Sequence, residues 1–176
     1  VTMSGGTINL AQNGENYTIG GNFSFDGGTL NMTDEIDKTT EKATYGTLTI
    51  NNLKGQGGNL VMDTDFSSQT TGDKVTINNA DKNAGGTIQV YDKSFSNGKV
   101  LTQNKKLLLV TDKSGNTNWT GKDLDDGGLW DVTPTIQKIG NDDFIQFQNK
   151  PLKAIYVEDF LGFEKKEASS KYIYII

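Results

Sequence analysis

The side chains that could do chemistry in this chain are carboxylates, and they come in pairs: Asp63 and Asp65, Asp125 and Asp126, Asp142 and Asp143. Glycoside hydrolysis is the reaction such pairs would serve, because it needs two carboxyl groups facing one sugar about 5–10 Å apart, one of them kept protonated by its surroundings. Asp63 and Asp65, two positions apart on a strand, share a face and meet the distance requirement alone. Asp at strand ends and beside Gly is also the routine way to start a turn. We adopt that reading, so no catalytic residue is expected and the chain is not expected to be an enzyme. The acidic stretch DLDDGG at Asp123–Gly128 clusters oxygen ligands that would suit calcium, yet it has neither the EF-hand spacing nor the Gly-Gly-x-Gly-x-Asp repeat of calcium-binding β-rolls. A solvated acidic turn is expected there, with no metal and no cofactor.

Composition narrows the remaining chemistry. Cysteine and histidine are both absent from the 176 residues. That removes disulfides, thiolate zinc sites, a thiol nucleophile and the commonest general base at neutral pH. All 17 cationic side chains are Lys, and the net charge is −5. Without a guanidinium to grip phosphate or stack on bases, no nucleic-acid partner is expected. No apolar run approaches the roughly 20 residues of a membrane-spanning helix, so no transmembrane helix is expected. The chain opens at Val1 in a strand-like pattern with no basic and apolar signal segment before it, which reads as a piece of something longer.

The elements that must position these side chains are short strands. Apolar residues alternate in Ile8/Leu10, Phe23/Phe25, Leu30/Met32, Leu48/Ile50, Leu60/Met62, Val75/Ile77, Ile88/Val90 and Ile145/Phe147, each run reading as a strand with one buried face. A glycine pair followed by an alternating strand occurs six times: GGTINL, GGNFSF, GGTLNM, GGNLVM, GGTIQV and GGLWDV, starting at Gly5, Gly20, Gly27, Gly57, Gly85 and Gly127. The repeat extends beyond the strand. LTINNL at Leu48–Leu53 returns 27 positions on as VTINNA at Val75–Ala80, and the pair at Gly57 returns 28 positions on at Gly85. Self-similarity at this period, built from strands, points to an all-β solenoid, a parallel β-helix whose coils stack about 4.8 Å apart. Its corners favour Gly, which tolerates positive φ and presents no Cβ to the next coil.

Within this repeat, Asn51 falls over Asn78 and Asn52 over Asn79. These four form either a hydrogen-bonded Asn ladder along the stack or ordinary turn material in an Asn-rich chain. The polar stretch around Thr33–Thr44 breaks the pattern and is expected to protrude. From Lys99 the repeat loosens. KLLLVTD at Lys106–Asp112 reads as a strand buried on both faces, and Leu129–Ile139, a tight GNDD turn and FIQFQ read as an antiparallel end structure. Trp119, Leu129, Trp130, Phe144 and Phe147 gather in that part. A carbohydrate-stacking platform is the functional reading of these aromatics. We favour an apolar plug over the last coil, because open solenoid ends expose core side chains and unpaired edges. One continuous domain is expected, with coils over 1–98, a capping part over 99–148 and a tail of unassigned role over 149–176.

The stretch Tyr45–Ser94 carries a family likeness. An aromatic-x-x-Leu opening (Tyr45, Leu48), a Gly-Gly strand (Gly57–Met62), a Thr-Asp pair (Thr64–Asp65), a Gly-Asp-Lys-aliphatic run (Gly72–Val75) and a glycine corner (Gly85–Gly86) follow in order. With the later KLLLVTD, GNTNW, GGLWDV and DDFIQF, the region Tyr45–Gln148 resembles the C-terminal passenger region of autotransporters, the pertactin-like part of type V secreted proteins. The resemblance implies a right-handed parallel β-helix whose last strands act as an autochaperone, secreted to the surface of a Gram-negative bacterium through an outer-membrane β-barrel translocator in the same precursor. It implies a structural or interaction role, a rigid stalk with a cap that promotes folding and secretion. An adhesin contacting host-cell protein or glycan through Thr33–Thr44 or an exposed coil face is the alternative, and a polysaccharide-active β-helix enzyme the third.

Overall fold

The computed structural model describes residues 1–34, 44–65, 71–92, 106–122 and 134–147, and every helix or strand assigned among them is a β-strand. The chain is all-β. Strands β1 (Thr2–Asn9), β2 (Asn16–Asn31), β3 (Thr47–Lys54), β4 (Gly58–Asp65), β5 (Thr71–Gly72), β6 (Lys74–Ala80), β7 (Gly85–Asp92), β8 (Lys106–Asp112) and β9 (Asn118–Gly121) lead to a terminal pair, β10 (Pro134–Ile139) and β11 (Asp142–Phe147).

Two parallel ladders organise these strands. In the first, the N-terminal half of β2 pairs with β3, β3 with β6 and β6 with β8. In the second, β1 pairs with the C-terminal half of β2, which pairs with β4, then β4 with β7 and β7 with β9. Both ladders advance along the chain in the same order. The register places like over like: Ile19, Ile50 and Ile77 align in one ladder, Leu30, Leu60 and Ile88 in the other. Alternate side chains point inward from both ladders, so Leu48, Ile50, Leu60, Met62, Ile77, Ile88 and Val90 share one buried core. Burying one such side chain contributes about 2 kcal/mol, and repetition over successive turns makes this core the main source of cohesion.

Gly86 shows what the corners require. It has φ +152°, and a Cβ there would run into the carbonyl oxygen of Gly58 in the turn below. Gly28, at φ +82°, meets the backbone of Gly5 and Gly6 in the same way. At Gly27–Gly28 and Gly85–Gly86 one backbone thus lies directly on another, whereas a Cβ at Gly5, Gly6, Gly20 or Gly21 would meet nothing within 4 Å.

Two local readings of the sequence differ from the structure. β2 is one 16-residue strand running through both Gly20–Gly21 and Gly27–Gly28, where the alternation reads as two separate strands. It pairs with β3 as far as Ser24, across a register shift between Ile19 and Asn22, and with β4 from Thr29, so it passes from one ladder to the other without interruption. Ile8, read as buried, is 37% exposed, because among the described residues β1 is paired on one side only.

The terminal strands reverse direction. β10 and β11 form an antiparallel hairpin joined through Gly140 and Asn141, and β11 pairs antiparallel with β8. Trp119 on β9 is the register partner of Gly86 on the side away from Gly58, and is buried.

Candidate functional site

The hairpin meets the last parallel strands through polar groups. Asp112, at the end of β8, is fully buried and closes its own turn. One carboxylate oxygen accepts from the N–H and hydroxyl of Ser114 at 2.9 and 2.7 Å; the other accepts from the N–H and hydroxyl of Thr117 at 2.8 and 2.9 Å. Lys138, next to the end of β10, reaches into this turn. Its ammonium donates to the Thr117 carbonyl at 2.8 Å and lies 3.8 Å from Asp112 and 3.6 Å from Asp143 on β11. Asp143 is buried, and the Thr117 hydroxyl stands 3.4 Å from it. One lysine thus joins β8, the turn before β9, and both strands of the hairpin.

Electrostatics separate the two carboxylates. Burial pushes Asp112 upward, but the four hydrogen bonds from Ser114 and Thr117 outweigh it and hold the group below the ordinary Asp value. Asp143 is pushed up to about 6, chiefly by burial and secondarily by the Asp112 charge, while Lys138 opposes the rise. At neutral pH the site holds one cation between a firmly ionised carboxylate and one close to titration.

A second group of buried carboxylates lies where successive turns meet. Asp73, just before β6, accepts from the N–H of Gly46 and of Asp63, both at 2.7 Å. Asp63 in turn accepts from the N–H of Asp34 at 2.6 Å. Asp73 is pushed up to about 7, mainly by burial, with the Asp63 and Asp34 charges adding to the rise and the two backbone N–H groups opposing it. These side chains stitch three turns of backbone together. Of the paired carboxylates singled out from sequence, Asp63 is buried in this stitch, Asp65 is half-buried, Asp142 is half-buried at the hairpin turn and Asp143 sits in the lysine site. Asp125 and Asp126 lie outside the described residues, as does most of Thr33–Thr44.

The other candidate residues fall as follows. Asn78 donates its side-chain N–H to Asn51 Oδ1 at 2.7 Å, Asn51 donates to the Gly20 carbonyl at 3.0 Å, and Lys113 donates to Asn78 at 2.8 Å. Asn52 and Asn79 are register partners, but the Asn79 amide turns to the Asn51 carbonyl at 3.4 Å. Trp119 is buried against the glycine corner at Gly85–Gly86, and its indole N–H finds no acceptor among the described residues. Phe144 is half-buried, and its neighbour Ile145 is the side chain that enters the core. Leu129 and Trp130 lie outside the described residues, as do the side chain of Phe147 and the whole of 149–176. Sequence reasoning missed Lys138 and Thr117. Nothing in their spacing signals a contact, and only the antiparallel return of β10 and β11 brings them to Asp112.

The Pertactin family model matches residues 21–132, more than half of the chain. No curated protein matches it.

Proposed function

Since the chain belongs to the Pertactin family, we propose that its two ladders are faces of a right-handed parallel β-helix in the passenger of a bacterial autotransporter. The coils form a rigid stalk, and the terminal hairpin is a cap that promotes folding of the passenger as it emerges. The passenger is carried to the surface of a Gram-negative cell by an outer-membrane β-barrel in the same precursor, and its role is structural, not enzymatic.

The observation that carries this reading is the change of pairing at β8. Up to that strand every long ladder contact is parallel and joins residues far apart in sequence, whereas β10 and β11 are joined by a two-residue connection. Parallel pairing must close a long loop before any contact rewards it, and is slow. A hairpin forms in about 1–10 μs. A hairpin fixed to β8 through the β8–β11 ladder and Lys138 offers the preceding coil a finished edge on which to settle.

Surface display of the precursor tests the proposal. Phe144→Ala, which trims the hairpin without touching the lysine site, is expected to lower the displayed fraction and slow refolding of the isolated chain. Display and refolding equal to the parent would refute the templating role.

A further inference from the structure

The outer face of the second ladder carries a groove that the stalk reading does not use. Val61 alternates with the core residues Leu60 and Met62 and so points to the opposite side; it lies outside the core cluster yet is only 6% exposed. An apolar side chain on an outward face is kept from water here because it forms the floor of a depression of about 520 Å³. That volume is within the roughly 300–1,000 Å³ of ordinary ligand sites.

The walls are rows of neutral polar side chains set by the register. Thr29, Asn59 and Thr87 align across three successive strands, with the Thr87 hydroxyl donating to Asn59 at 2.8 Å. Gln89 stands beside Val61 and donates to the Tyr91 hydroxyl at 3.3 Å, holding a tyrosine that is 44% exposed at the margin of the groove. Neighbouring rows repeat about every 4.8 Å along the stack.

We propose that this groove binds an uncharged oligosaccharide lying along the stack, its hydroxyls bonded to the threonine and amide rows and one ring face resting on Val61 and Tyr91. Three features select that occupant. The backbone groups of β4 are taken up by ladders on both sides, so an extended peptide could not add to this face as a further strand. The wall groups offer donors and acceptors together, as sugar hydroxyls require. Among the described lining residues the formal charges are opposed, Lys122 against Asp34 and Asp63, and the chain carries a net charge of −5, so a polyanionic glycan would find one cation and two carboxylates.

Nuclear magnetic resonance titration of the full chain, labelled at valine methyls and side-chain amides, tests the proposal with maltohexaose, cellohexaose and chitohexaose as neutral probes and a heparin hexasaccharide as the polyanion. At least one neutral probe should shift the Val61 methyls and the Asn59 and Gln89 amides with a dissociation constant of about 1 mM or tighter. Tyr91→Ala should weaken it about tenfold and Lys113→Ala, on the other ladder, should leave it unchanged; Gln89→Ala serves if the tyrosine variant does not fold. The proposal is overturned if no neutral probe moves these signals by about 10 mM, if heparin alone moves them, or if the groove variants bind as the parent does.

Discussion

Replacing Lys138 by methionine removes the cation from the hairpin junction while keeping the apolar stem, and its cost should depend steeply on pH. The ammonium stands 3.6 Å from Asp143 and 3.8 Å from Asp112 and donates to the Thr117 carbonyl at 2.8 Å. Removing one partner of a buried ion pair costs about 3–5 kcal/mol. Because the lysine side chain is 34% exposed, solvent screening reduces that to about 2–3 kcal/mol at pH 8. Asp143 already titrates at about 6, above its unfolded value, so the folded state takes up a proton there as the pH falls. Below that point Asp143 is neutral and the pair with Lys138 is largely gone in the parent. At pH 5 the variant then loses only its contacts with Asp112 and Thr117, about 1 kcal/mol. Guanidinium unfolding followed by tryptophan emission reads the difference, since Trp119 lies in the strand that follows this turn. A loss equal at pH 5 and pH 8, or no loss at pH 8, would refute the reasoning.

Asp73 carries a second pH dependence. Its folded value of about 7 exceeds the unfolded one, so its contribution to stability is fully present near pH 4 and is lost as pH rises through 7. The shift corresponds to at most about 4 kcal/mol; Asp73→Asn should remove most of the decline in melting temperature between pH 5 and 8, and an unchanged decline would assign it elsewhere. Gly86→Ala puts a Cβ against the Gly58 carbonyl at φ +152° and should cost about 2–4 kcal/mol in denaturant unfolding. Stability within about 0.5 kcal/mol of the parent would show that the corner backbone can move apart.

Much of the parallel part is legible because stacking puts each residue on its counterpart one turn away. The recurrence of LTINNL as VTINNA is the β3–β6 register itself, with Leu48 on Val75 and Ile50 on Ile77, and Gly58 of one glycine pair sits under Gly86 of the next. What escapes a reading by period is whatever occurs once. The change of ladder within β2 falls between Ser24 and Thr29 inside a continuous strand, and alternation cannot distinguish it from a break. Asp73 belongs to a recognisable Gly-Asp-Lys run, but that it faces inward is decided by the N–H groups of Gly46 and Asp63 waiting there. The lysine site combines four residues from a turn and three strands with no common spacing. Alternation with Leu60 and Met62 already turns Val61 outward, but its burial in a groove is decided by the residues that neighbouring strands place around it.

Pulse-labelled hydrogen exchange during refolding tests the central claim most directly, because it reports which strands close first. Earliest protection is expected at the amides of Leu109, Trp119 and Ile145, in β8, β9 and β11, with Ile50 and then Leu30 following. Protection that begins at Leu30 and Ile50, or that rises at all five amides in one phase, would contradict a coil stack built from its capped end.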